Sequence, residues 1–135
     1  MRSTLVLFGA LLATGAFGCR TAVMLQPPPV SFAPLPADQV EAAIYQGCSV
    51  RHWMPSKVRD GLIQATLYQR SHVAVVDITY DADSFQVTYV RSENLRYKDV
   101  DGQQRIHEGY NKWVKNLVGD IEVALQQERK PEPPR

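Results

Sequence analysis

The chain has 135 residues, 44% of them hydrophobic and 21% charged, with 9 Pro and 8 Gly, which suits one ordinary folded domain and excludes collagen-like, fully disordered and multi-span membrane classes. Lys plus Arg is 15 and Asp plus Glu is 14. Arg2 is the sole charged residue among the first eighteen, so the remainder is balanced and offers no electrostatic case for nucleic acid as a partner.

Residues 1–18 read as a targeting segment. Arg2 gives a positive start, and residues 5–17 form an apolar run broken by Gly9, Thr14 and Gly15. That run is short of the roughly 20 residues needed to span a bilayer and fits the apolar region of a signal peptide. Ala16-Phe17-Gly18-Cys19 then resembles the lipobox of bacterial lipoproteins, in which the cysteine is acylated (palmitate-type chains) and becomes the first residue after cleavage. Gly18 fits that motif. Ala16 stands where leucine is preferred, and Phe17 is bulky for its place. The resemblance implies lipidation of Cys19 and a membrane partner held through the lipid, since two acyl chains anchor stably where one is marginal. Arg20, in place of the aspartate linked to inner-membrane retention, implies the periplasmic face of the outer membrane. The alternatives are ordinary cleavage after Gly18, and a secreted form with a Cys19–Cys48 disulfide, as these are the only two cysteines.

Residues 19–36 hold Pro27, Pro28, Pro29, Pro34 and Pro36 and read as a stiff, extended spacer behind the lipid. The domain is then residues 37–128, with residues 129–135 as a disordered tail. Asp38 and Glu41 make a capping-box pattern for a short helix to about Gln46, with Val40, Ala43 and Ile44 as its apolar stripe and Gly47 as its end. Trp53, Met54, Pro55 and Val58 suggest an edge strand, because Pro55 cannot donate to a central ladder.

Three runs of period-two alternation follow at residues 62–69, 72–80 and 84–91, the mark of an antiparallel meander with one buried face. Ile63, Ala65 and Leu67, then Ala74, Val76, Ile78 and Tyr80, then Phe85, Val87 and Tyr89 are assigned to that face. The turns fall at Asp60-Gly61, Arg70-Ser71 and residues 81–83. Asp81 and Asp83 are too few and too close for a calcium loop. Residues 92–105 read as a polar connection with a turn at Asp101-Gly102. From about His107 to Arg129, Tyr110, Trp113, Val114, Leu117, Ile121 and Leu125 draw one apolar stripe along a long helix. The fold class is therefore α+β: a three- to four-stranded antiparallel meander with a short N-terminal and a long C-terminal helix on one face.

Arg70-Ser71-His72 leading the second strand, Ser92-Glu93-Asn94-Leu95, and Ile106-His107 with Tyr110, Asn111, Trp113, Val114, Asn116 and Leu117 together resemble a group of small uncharacterised proteobacterial lipoproteins. The resemblance spans residues 38–125 and implies a small periplasmic α+β domain behind a lipid anchor, with no reaction attached. Glu108-Gly109 stands where a proline-containing turn is expected.

Nothing in the residues marks a catalytic set or a cofactor. His52, His72 and His107 lie too far apart for a zinc motif, and Asp77 is the one candidate acid. The opposite sheet face carries the candidate binding residues Tyr68, Val73, Val75, Asp77 and Val90, an apolar cluster that solubility does not require. The expected function is a non-catalytic envelope module that meets another envelope protein or a cell-wall component, with a small periplasmic enzyme as the alternative.

Overall fold

A computed structural model of the protein describes residues 20–129. Residues 1–18, read above as a signal segment, Cys19 and residues 130–135 lie outside the described residues. In chain order come β1 (Thr21–Val23), β2 (Val30–Ser31), α1 (Ala37–Val50), β3 (Met54–Arg59), β4 (Leu62–Gln69), β5 (His72–Tyr80), β6 (Ser84–Glu93), β7 (Lys98–Val100), β8 (Gln103–His107) and α2 (Glu108–Glu128). One antiparallel sheet has the order β2-β6-β5-β4-β3, and a smaller one the order β1-β8-β7.

The meander keeps the register that its alternation requires. Ile63 opposes Ile78, Ala65 opposes Val76 and Leu67 opposes Ala74, so these side chains share one face. Phe85 and Val87 extend that face through β6. Against it pack Val40, Ala43, Ile44 and Cys48 of α1 and Tyr110, Val114, Leu117, Ile121 and Leu125 of α2, all in one buried cluster. The fold is α+β with both helices on this face. Trp113 is only partly buried and borders the cluster.

Gly47 does not end α1. It is buried three residues before the helix terminus, and a Cβ there would lie 2.6–2.8 Å from Cγ1, Cα and N of Ile121. The two helices therefore cross backbone to backbone at this point, which only glycine allows. The Asp38–Glu41 capping box does not form either. Pro36 holds the N-cap position without a side-chain bond, and Glu41 instead meets Nζ of Lys57 on β3 at 3.0 Å. The bond from Lys57 to Asp60 (2.9 Å), and then that to Glu41, raise the Lys57 pKa, and Lys57 in turn lowers that of Asp60.

The expected spacer is part of the domain. Thr21, Ala22 and Val23 pair with His107, Ile106 and Arg105, and Val30 and Ser31 pair with Phe85 and Ser84. Prolines at 27–29 fall between the two paired stretches, where no ladder needs their missing N–H. Met24 enters the core, while Val30, Phe32 and Leu35 pack against it, so apolar contacts hold what composition alone made a linker. Arg129, assigned to the tail, donates to the Ala33 carbonyl at 2.7 Å and lies 5.9 Å over the Phe32 ring. The polar connection 92–105 also gains structure. Asp101 and Gly102 take φ of +52° and +79°, the paired left-handed conformations of a tight hairpin turn between β7 and β8.

Two measurements follow. Gly47→Ala should destabilise the fold by about 1–3 kcal/mol in urea unfolding, because the neighbouring backbone must move. Gly119→Ala, in α2 with nothing within 4 Å of the new Cβ, should stabilise by about 0.4–1 kcal/mol. Equal effects at the two glycines would contradict the crossing. Burial pushes the Cys48 thiol from 9.0 up to about 12 and also raises Tyr110. A proton held more tightly in the folded state than in the unfolded one adds stability below the unfolded pKa. Stability should thus be flat near neutrality and fall as pH rises from about 9 towards 12, read by far-UV circular dichroism; a loss that sets in well below 9 would point to other groups.

Candidate functional site

Three surfaces carry the side chains of interest. The first is the sheet face opposite the helices. Tyr68 opposes Val73, Thr66 opposes Val75 and Gln64 opposes Asp77, so the strand pairing brings Tyr68, Val73, Val75 and Asp77 onto one face as alternation requires. Asp77 accepts from Nε2 of Gln64 at 3.0 Å, a cross-strand pair and not a free acid. Tyr68 is 62% exposed, but Val75 is 1% exposed and cannot serve as an open contact residue. Val90 leaves the row altogether. Val75 pairs with Arg91 and Val76 with Tyr89, so Val90 is the extra residue of a β-bulge and Arg91 takes its place. Met54, 62% exposed and opposite Thr66, joins the face from β3.

The second surface is a cleft of about 210 Å³ where the two sheets part. β2 covers the edge of β6 only at Ser84 and Phe85, and beyond it residues 24–27 stand off from β6. The walls are Met24, Leu25, Gln26 and Pro27 on one side, residues 86–89 on the other, and Gln104. Tyr89 stacks on Tyr97 with centroids 4.8 Å apart, and Tyr97 Oη accepts from Nε2 of Gln104 at 3.2 Å. Gln26 donates to Gln104 at 2.6 Å, and Gln86 donates to the Pro27 carbonyl at 3.4 Å. The lining is thus amide-rich, uncharged and backed by a tyrosine pair. Each amide offers both a donor and an acceptor, which suits a neutral chain with alternating hydrogen-bonding groups.

The third surface is the end of the molecule at the start of α2, where the motif residues converge. β8 runs into α2 with no loop, and Nδ1 of His107 accepts from the Gly109 N–H at 3.0 Å, capping the helix. The ring of His72 lies 5.4 Å from that of His107 and 6.2 Å from that of Trp113. His72 Nδ1 is 2.8 Å from the Asn94 carbonyl, which can only accept, so that nitrogen carries the proton. Asn94 closes the group by donating to the Ser71 carbonyl at 2.7 Å. Among the described residues no group of three or more His, Cys, Asp or Glu converges on a metal position. Asp81 is occupied as a turn former, with Oδ1 accepting from the Asp83 and Ser84 amides; these bonds lower its pKa.

Asn111, on the first turn of α2, shows no bond to the 92–94 loop among the described residues. It instead grips the N-terminal segment: Oδ1 accepts from the Leu25 amide at 2.7 Å and Nδ2 donates to the Val23 carbonyl at 2.8 Å. The Glu108 amide donates to the Arg20 carbonyl at 3.1 Å, and the Arg105 guanidinium to that of Thr21 at 3.0 Å. Cys19 is outside the described residues. Cys48 is fully buried, with its thiol protonated at neutral pH.

No protein-family model, curated protein or solved structure matches this chain.

The sheet face gives a direct test. Val75→Lys should destabilise the isolated domain by about 2–4 kcal/mol, because a charge would replace an enclosed methyl pair. Tyr68→Ser should change stability by less than about 0.5 kcal/mol. A neutral Val75→Lys in chemical denaturation would show that this face is open.

Proposed function

We propose that this protein is an envelope lipoprotein, acylated on Cys19 and held at the periplasmic face of the outer membrane, whose α+β domain is a non-catalytic binding module. The observation that carries the anchor is in the sequence: Arg2, the apolar run 5–17 and Ala16-Phe17-Gly18-Cys19. Hydrogen bonds and strand pairing reach back to Arg20, the residue after Cys19. In the chemistry implied, Cys19 Sγ forms a thioether to the diacylglyceryl group of a phospholipid, whose glycerophosphate leaves with the thiol proton. Two chains give a stable anchor. The Cys19–Cys48 disulfide is disfavoured, because a bridge to Cys48 requires the core beneath α1 to open.

The binding half of the proposal rests on the cleft beside β6. Gln26, Gln86 and Gln104 with the Tyr89–Tyr97 stack fit a neutral, hydrogen-bonding chain, as an extended segment of an envelope protein or a cell-wall component would present. The exposed sheet face around Tyr68 is a lesser candidate, since Val75 at its centre is enclosed.

Mass spectrometry of the mature protein should find Cys19 as an acylated N-terminal residue; an unmodified Cys19, or one bonded to Cys48, would overturn the anchor. Photocrosslinking in intact envelopes from a reactive residue at Thr88, exposed on the cleft wall, should give an adduct with a peptide or glycan. Absence of any adduct would overturn the binding half.

A further inference from the structure

We propose that the end of the domain around the start of α2 rests on the bilayer surface, because the tether between lipid and fold has no slack. This inference depends on acylation of Cys19. Consecutive Cα atoms lie about 3.8 Å apart, so an anchor on Cys19 sits one residue from a backbone that is already fixed. Arg20 is bonded to the Glu108 amide, Thr21 is paired with His107, and Asn111 clamps Val23 and Leu25. A free spacer of seventeen residues would let the domain tumble well away from the membrane. A strand paired from Thr21 onward does not.

The surface that this tether turns towards the lipid suits the position. Val23 is 51% exposed beside the anchor. Val23, Met24, Leu25 and Gln26 form a shallow groove with Asn111, Lys112 and Lys115, so two ammonium groups line a groove with apolar side chains of the segment that follows Arg20. The partly exposed Trp113 stands beside His72 and against Gly109 in the first turn of α2. Lysines and arginine next to an anchor are attracted to anionic headgroups, and an indole is favoured at the lipid–water boundary. Glu108 is the acid within this group and weakens the attraction without reversing it, against Arg20, Lys112 and Lys115.

The test uses the acylated full-length protein in phosphatidylethanolamine–phosphatidylglycerol vesicles carrying lipid brominated high on the acyl chain. Trp113 emission is the difference between the native protein and Trp113→Phe; the other tryptophan, Trp53, is buried. That emission should be quenched by more than about half on membranes and unquenched in detergent lacking bromine. A second variant leaves the domain untouched by inserting twelve Gly-Ser residues between Cys19 and Arg20. Such a linker spans about 20 Å on average, so quenching should fall at least about twofold while the protein stays with the vesicles. Vesicle-bound, acylated protein with unquenched Trp113 would overturn the orientation alone. Quenching that the insertion leaves unchanged would overturn the role of the short tether. A Cys19 without acyl chains would overturn the anchor, and the orientation with it.

Discussion

The backbone contact between Gly47 and Ile121 is the constraint on which the helical layer depends. A sheet of five strands buries one face, and two helices must cover it together. Ordinary helix pairs stand 8–10 Å apart because side chains separate them. At Gly47 nothing separates them, so Ile121 seats against the α1 backbone itself. That proximity lets Val40, Ala43 and Ile44 reach the same cluster as Val114, Leu117 and Leu125. Beyond the crossing, Gln46 donates to Gln127 at 2.6 Å and Arg51 meets Asp120 at 2.8 Å, bonds that guard the flanks of the pair. Both lie at the surface, where such contacts contribute little beside the burial.

The N-terminal segment is the second support. It runs from the start of α2 to its end: Arg20 touches Glu108, and Ala33 touches Arg129. On the way it completes the small sheet at β8, caps part of the β6 edge, and leaves the cleft where its prolines hold it off the ladder. The cleft is thus a product of proline chemistry. Residues that cannot donate to β6 leave that stretch of the edge without a strand partner among the described residues, and amides rather than ladder bonds line the gap.

Much of the fold could be read from the residues because it is governed by alternation. The core faces of β4, β5 and β6 and the apolar stripes of both helices needed only the period-two and 3.6-residue patterns. What escaped was decided by other physics. Gly47 looks the same at a helix end as at a crossing, since the difference lies in a partner 74 positions away. β7 and β8 show no apolar period because, of their side chains, only Ile106 is fully buried; the Asp101-Gly102 turn was the one legible mark. The bulge at Val90 adds a residue with no compositional sign, and so moved one member of the candidate face. Prolines suggested a stiff, extended spacer in residues 19–36, whereas Met24, Val30, Phe32 and Leu35 pack into or against the core. Of the candidate binding residues, Tyr68 and Val73 stand where alternation put them, Val75 is enclosed, and the amide-lined cleft could not be foreseen because its walls come from segments far apart in sequence.

The same segment that shapes the cleft would also carry any pull from the membrane. If Cys19 holds the anchor, force on the lipid enters the domain at Arg20 and runs into the β1–β8 pairing and the two bonds of Asn111. β8 continues directly into α2, so that load passes to the helix that crosses α1 at Gly47. In an antiparallel pair the ladder bonds lie across the strand axis, and pulling along β1 loads them in shear, all together, not one at a time. A spacer would have kept the fold mechanically apart from its anchor. Here the anchor, the small sheet and the helical layer form one continuous path, and the wall of the cleft is built on it.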